Sequence, residues 1–445
     1  MCEDRIIQGF SKMDIEKKIE MISKFTLDPE KFKSDLKYHL HPEKSIQDTY
    51  SEFSENTLTN FYLPWGIAPN FLINDKIYHV PMVTEESSVI AAAASAAKYW
   101  MKHGGFKTKV VGTEKKGQVH FIWKGNPKKF LRFFETRKRY LSDIISPLTS
   151  RMEERGGGIL EMKLKYQPEI LNHYYELDIS FDTADSMGAN FINSCLEEIA
   201  KVWKSEVENN IGFNTEERNC DIIMAILSNY TPDCRVICDV SENIHNMKDV
   251  THQMSQGKFV EKFVGAMEIA KKNISRAVTH NKGIMNGIDA VAVATGNDFR
   301  ANEANAHAFA SRSGFYKSLS DAKVENGTFS FSLTIPVNLG VTGGLTSVHP
   351  FAGYSVEILG NPSARELMGI CASVGLANNF SAIRSLVTTG IQKGHMKLHL
   401  NNILNSLNAD SMEKKAANIW FQNKTLSYSS VLTFLDEYRK RRKEN

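Results

Sequence analysis

The chain has 445 residues, 42% hydrophobic and 24% charged, the profile of a folded globular protein of two or three domains. Lysine and arginine total 54 against 51 aspartate and glutamate, so the net charge of +3 gives no surplus for a chain-wide polyanion-binding role. The longest apolar run, residues 89–97, falls well short of the ~20 needed to span a bilayer, and Met1-Cys2-Glu3-Asp4-Arg5 opens no secretory core, so a soluble cytoplasmic protein is expected.

In chain order, residues 11–24 carry apolar side chains at helical spacing, with Asp14 placed to open the helix. The Pro- and Gly-rich run Leu63-Pro64-Trp65-Gly66-Ile67-Ala68-Pro69 predicts an ordered loop, followed by a strand over 76–82 and an alanine-rich helix over 89–100. The next stretch reads as strand 118–123, helix 127–152, turn Gly156-Gly157-Gly158, strands 159–166 and 174–181, helix 187–208 and strand 222–229. That order is β-α-β-β-α-β, the split βαβ or ferredoxin-like arrangement, and it predicts an α+β chain with a separate inserted unit. A strand at 235–240 and a helix over 260–274 lead into a polar island at 276–287, an apolar stretch read as a strand over 288–294, and Asp298. Beyond lie a strand over 328–336, the loop Gly340-Val341-Thr342-Gly343-Gly344, a helix over 364–378 and, from about 390 on, a small lobe of two mainly helical segments.

Six cysteines (Cys2, Cys195, Cys220, Cys234, Cys238, Cys371) form no CxxC pair, which suits reduced thiols, and no metal site is expected. Neither GxGxxG nor a P-loop is present. The run Asp182-Thr183-Ala184-Asp185-Ser186-Met187-Gly188-Ala189-Asn190 sits where a strand ends and a helix begins, so it is either a phosphate-facing N-terminus or a plain cap. Lys282 with Asp298 reads either as an oxyanion stabiliser fixed by a carboxylate or as a solvated lysine and a turn aspartate. Glu85-Glu86 is a helix-start acidic cap or a pair in which one carboxyl is held protonated. His395 and His399 lack the HExxH pattern, and a single acid/base histidine suits His395 better than a metal ligand. The basic segments 124–139 and 439–443 read as solvated helix faces, with RNA binding as the less favoured reading.

Together these segments resemble the class II, bacterial and archaeal type of 3-hydroxy-3-methylglutaryl-CoA reductase. The blocks that carry the resemblance are Glu55-Asn56, Pro64-Trp65-Gly66-Ile67-Ala68-Pro69, Val80-Pro81-Met82-Val83-Thr84-Glu85-Glu86-Ser87-Ser88, then 185–190, 276–286, 294–298, 340–344 and Gly390-Ile391-Gln392-Lys393-Gly394-His395-Met396. The resemblance implies a large, mainly helical substrate-binding domain (1–112 and 233–389), an inserted ferredoxin-like, non-Rossmann dinucleotide-binding domain (113–232) and a C-terminal helical flap (390–445). It implies reduction of HMG-CoA by two hydrides through mevaldehyde to mevalonate and free CoA, in isoprenoid biosynthesis, by a homodimer or an oligomer of dimers that binds neither nucleic acid nor membrane. The alternatives are the same fold run oxidatively with NAD in mevalonate degradation and a non-catalytic CoA-ligand or RNA-binding protein.

Position by position, the resemblance makes Lys282 the oxyanion stabiliser, Glu86 a proton donor, Asp298 the link between them, and His395 the donor to the leaving CoA thiolate. Arg276, Ser88, Asn286 and Asn379 match substrate-binding positions, and Asp185, Met187, Gly188, Asn190 and Asn229 match dinucleotide contacts. Departures from the family pattern are Ser186 for alanine, Glu55-Asn56-Thr57-Leu58-Thr59 for Glu-Asn-x-Ile-Gly, Ser87 for proline, and Ser11 where some members have an arginine that meets CoA. NADH-using members carry an acidic residue shortly before the triple glycine. Here Thr149 stands there with Arg151 beyond it, which implies NADPH as the preferred cofactor with NADH as the alternative, and no metal.

Overall fold

The computed structural model describes every residue except 1–4, 252, 389, 391–399, 422, 423, 425 and 445. Asp14 caps α1 (Ile15–Ser23) by accepting from Lys17 N, and Asp28 caps α2 (Pro29–Tyr38) in the same way; α3 (Lys44–Ser51) follows. The segment expected to be a loop is instead mostly strand: β1 (Trp65–Ile73) pairs antiparallel with β2 (Lys76–Val83). Its proline is tolerated because a register shift between Ala68 and Phe71 spans Pro69, where no ladder N–H is required. The alanine-rich helix α4 (Val89–Met101) packs on β1, with Ala93, Ala96 and Ala97 fully buried.

The inserted unit comprises β4 (Lys115–Trp123), α5 (Pro127–Ile144), α6 (Ser146–Glu153), β5 (Gly158–Tyr166), β6 (Tyr174–Asp182), α7 (Ala189–Glu208) and β7 (Cys220–Ser228). Its antiparallel sheet has the order β5-β6-β4-β7, the ferredoxin-like order that the sequence predicts. The single helix expected over 127–152 is two, broken at Ile145 where Pro147 opens the second. Aromatic rings fill the core, with Trp123 stacked on Phe130 at 3.9 Å and Tyr175 and Trp203 beside them.

A second antiparallel sheet, β3-β8-β10-β9, combines β3 (Lys107–Thr113), β8 (Cys234–Asn243), β9 (Ser320–Glu325) and β10 (Thr328–Pro336). Around it lie α8 (Gln256–Lys272), α9 (Ile274–Ala294), α10 (Phe299–Ala310), the short α11 (Gly344–Val348), α12 (Pro350–Ile358) and α13 (Ala364–Val387). The stretch expected as a strand over 288–294 is the second half of α9. It is helical because α9 crosses α13 closely: a Cβ on Gly287 would lie 2.8 Å from Val374 O, so the absent side chain lets the two backbones meet. Both helices are buried on several sides, which removes the polar face by which a helix is usually told from a strand. Two helices, Ser411–Trp420 and Tyr428–Glu444, close the chain around their own apolar cluster at Leu404, Val431 and Leu435.

Candidate active site

The first turn of α9 carries Arg276, with Asn273 accepting from its backbone N at 2.9 Å and no acidic residue beside it. A cation there opposes the helix dipole by ~0.3–1 kcal/mol, so guanidinium and helix terminus together attract an anion rather than stabilise the helix. Behind Arg276, His280 Nε2 lies 2.7 Å from Ser320 Oγ, which donates to Asn379 Oδ1 at 2.8 Å. With the serine proton committed, His280 Nε2 must be the donor. Burial, then the charge of Arg276, push the His280 pKa down to about 3, so the imidazole is neutral. Asn379 is only 1% exposed and committed to this network, and the structure does not present it to a ligand.

Lys282, Asn286 and Asp289 follow at helical spacing on one face of α9. Lys282 Nζ donates to Glu86 Oε2 at 2.5 Å, and Asn286 Nδ2 reaches the same oxygen at 3.4 Å. The side chains of Lys282 and Glu86 are 58% and 41% exposed, and such a pair contributes ~0–1 kcal/mol to stability. Thr84 Oγ1 accepts from Glu86 N at 3.1 Å, and Ser88, at the start of α4, holds a left-handed φ of 76°, a strained backbone for a non-glycine residue. One turn past Asn286, Asp289 Oδ1 is buried without a donor. Glu303 of α10 can hydrogen-bond this carboxyl only if the two share a proton, and burial, Glu303 and Glu85 together raise the Asp289 pKa to about 8.

Asp298 caps α10, accepting from Ala301 N at 3.1 Å and facing Arg300 at 3.4 Å. No hydrogen bond or ion pair among the described residues joins it to Lys282 or Glu86. Its neighbour Asn297 instead clasps the glycine loop, with Gly340 N donating to Asn297 Oδ1 at 2.7 Å and Asn297 Nδ2 donating to Gly340 O at 3.0 Å. Val341 N then donates to Asp185 O at 2.8 Å, tying this end of the site to the inserted unit.

Register gathers the expected dinucleotide residues at one end of the inserted sheet. Lys115 pairs with Phe181, Lys116 with Ser228 and Gly158 with Asp182, so the 182–188 loop, Asn229 and the glycine turn lie together. Gly188 begins α7 at φ 84°, and a Cβ there would lie 2.3 Å from Thr183 Cγ2. Only glycine fits, and it leaves the first N–H groups of a 20-residue helix without a side-chain cap. Asp185 and Asn190 are exposed, Met187 is half-buried, and Asp185 Oδ1 accepts from Ala364 N at 2.7 Å. Arg151 stands in solvent, whereas Thr149 is 2% exposed with its hydroxyl directed to Ser146 O at 3.4 Å. His395 lies outside the described residues. Three residues went unmarked in the sequence: Asp289, Glu303 and the buried Lys115.

The model of the hydroxymethylglutaryl-coenzyme A reductase family matches residues 14–400. A 3-hydroxy-3-methylglutaryl-coenzyme A reductase of Archaeoglobus fulgidus is 35% identical over 399 residues, 89% of this chain and 86% of that protein. A probable enzyme of the same name from Borreliella burgdorferi is 34% identical over 368 residues, 81% of this chain and 79% of its own. The reductase structure from Streptococcus pneumoniae superposes with a TM-score of 0.71 at 34% identity, covering 97% of this chain and 99% of that one. A class II enzyme from the same organism, bound to NADPH in open conformations, gives 0.70 at 35% identity, covering 86% and 99%. The chain belongs to the hydroxymethylglutaryl-coenzyme A reductase family, in its class II branch.

Proposed function

We propose that this chain reduces HMG-CoA to mevalonate and free CoA with two hydrides from NADPH, and the observation that carries the reading is the exposed pair formed by Lys282 of α9 and Glu86 of the segment before α4. Lys282 holds the thioester carbonyl oxygen as negative charge develops on it, the electrostatic role that a fixed ammonium performs best. Because Glu86 Oε2 lies 2.5 Å from Lys282 Nζ, an oxygen bound by the ammonium is also within reach of a proton on Glu86. The first reduction leaves a hemithioacetal; its C–S bond breaks, His395 protonates the departing thiolate, and Glu86 protonates the alkoxide formed when mevaldehyde is reduced. Arg276 holds the free carboxylate of the substrate as a bidentate fork, with Ser88 and Asn286 lining the same end. Asp298 acts from the α10 cap, at a remove from the pair.

The dinucleotide fits this chain at the uncapped start of α7, where backbone N–H groups can receive its diphosphate beside Asp185, Met187, Gly188, Asn190 and Asn229. When bound, NADPH supplies the hydride. Choice of the 2′-phosphorylated cofactor rests on exposed Arg151 rather than on buried Thr149. The domain division given above, a homodimer or oligomer of dimers, and a cytoplasmic location belong to the same reading. No helix among the described residues is long and apolar enough to cross a membrane.

Purified protein given HMG-CoA is expected to oxidise about two equivalents of NADPH per mevalonate, the count that two hydrides require. Absence of turnover with either nicotinamide cofactor in a folded protein overturns the enzyme reading. A kcat/KM about tenfold higher for NADH than for NADPH overturns the cofactor choice alone.

A further inference from the structure

Lys115, the first residue of β4, is 3% exposed, and no carboxylate among the described residues lies within ion-pair distance of it. It is not short of hydrogen bonds. Its Nζ donates to Thr183 Oγ1, to Ser186 O at 2.9 Å and to Met187 O at 3.2 Å. Thr183 Oγ1 gives its own proton to Ser186 O at 2.7 Å, so toward Lys115 it accepts. Three accepting oxygens are satisfied together only by an ammonium with three protons. A buried cation hydrogen-bonded only to neutral oxygens carries a large desolvation cost, and burial accordingly pulls its pKa below the ordinary lysine value. Asp182 acts on it through space, but that carboxylate is occupied by Thr113 Oγ1 at 2.7 Å and Ala184 N at 2.8 Å.

The same loop begins α7, whose first turn has no side-chain cap and whose backbone turns sharply at Gly188. A buried positive charge beneath the loop and free N–H groups at its end are two independent features that favour an anion in one place. We infer that Lys115 is the counter-charge of the dinucleotide diphosphate: it fixes the Thr183–Ser186–Met187 loop from below while its charge, which has no direct ion-pair partner among the described residues, is balanced when the diphosphate arrives. This deepens the reading of the 182–190 loop as the dinucleotide site and rests on it. Through the low-dielectric interior, a charge that does not touch the ligand still acts on it strongly.

The test uses the full chain, with NADPH affinity read by nucleotide fluorescence and inorganic pyrophosphate as the displacing probe. Lys115→Met is expected to raise the NADPH Kd and the pyrophosphate inhibition constant about tenfold or more, with the KM for HMG-CoA changed less than about twofold. Thr183→Val removes both hydrogen bonds of that hydroxyl, from Lys115 and to Ser186 O, but keeps the charge, and is expected to weaken NADPH by less than about threefold. Equal losses in the two variants reduce Lys115 to a structural strut and overturn the inference, as does a folded Lys115→Met protein with an unchanged Kd. Should Lys115→Met not fold, Lys115→Gln, which retains two N–H donors without the charge, takes its place under the same criteria. Asn190→Asp separates the underlying reading: a carboxylate in the first turn of α7 should weaken NADPH binding strongly, and no effect there removes the site itself, whatever Lys115 does.

Discussion

Two lysines in two parts of the molecule show opposite uses of one charge. Lys282 stands on the open face of α9, 58% exposed, with a carboxylate at 2.5 Å. Lys115 lies under a loop, 3% exposed, hydrogen-bonded only to neutral oxygens. The exposed pair is nearly neutral for stability, so its value lies in what can displace or join it. The buried ammonium is expensive to keep and holds the loop at which the dinucleotide is proposed to bind. On the proposed reading, accessibility separates a charge that meets reacting atoms from a charge that shapes and attracts from behind.

The largest effect should come from the exposed partner. Lys282→Ala is expected to lower kcat by about 10²–10³-fold or more, the loss typical of removing an oxyanion-stabilising donor, while the melting temperature stays within a degree or two of wild type. Parallel steady-state kinetics and thermal melts decide it. A variant that keeps normal activity, or one that loses activity only because it unfolds, breaks the contrast between the two lysines.

How much of this was legible in the sequence follows from what each local pattern could encode. The inserted unit was readable because β4 alternates cleanly between buried and half-buried positions and β6 is a nearly continuous buried run. The same alternation contained Lys115: counting back from Trp123 through Phe121, Val119 and Gly117 places it on the inner face, a signal hidden by the neighbouring Lys116. The second half of α9 was read as a strand because burial on several sides had erased its helical stripe, and with it the alignment of Asp289 below Lys282 and Asn286. The pairing of β1 with β2 was concealed by Pro64, Gly66 and Pro69, of which Pro64 lies just before the strand, Gly66 pairs regularly with Met82, and Pro69 falls in the register shift. Thr149 matched a cofactor position in order along the chain, but the turn from α5 into α6 rotates its hydroxyl inward, which residue order alone does not specify. Asp298 likewise followed Lys282 by the expected number of residues, yet its carboxylate is spent on the cap of α10.

A middle-sized effect should appear in pH dependence, where Asp289 sharpens the comparison as the acidic counterpart of Lys115. In the folded chain its carboxyl keeps a proton up to about pH 8, whereas in the unfolded chain it ionises near the ordinary value of 3.8. Between those values the native state binds more protons than the unfolded state, so stability from this group falls as pH rises through the window. Asp289→Asn removes the penalty. Its advantage over wild type should grow from pH 5 to pH 8, reaching on the order of 2–4 kcal/mol. His280 acts with the opposite sign: its folded pKa of about 3 lies below the ordinary 6.5, so stability is lost as pH falls through that interval. Chemical denaturation of wild type and Asp289→Asn at pH 5 and 8 checks the assignment, and a difference that does not change with pH refutes it.

The smallest effect belongs to Ser186, the residue at which the proposed dinucleotide loop departs from the alanine usual in the family. Its backbone oxygen does the structural work, accepting from both Lys115 and Thr183, whereas its hydroxyl makes one bond, to Thr183 O at 2.9 Å. Ser186→Ala removes that single bond and leaves both acceptor interactions in place. Stability should therefore fall by no more than about 1 kcal/mol, and the NADPH Kd should move by less than about twofold. If Ser186→Ala instead weakens NADPH as much as Lys115→Met does, the hydroxyl rather than the buried charge controls the loop. The contrast drawn between the two lysines then fails at the Lys115 end, because a neutral side chain would be producing the effect assigned to a cation.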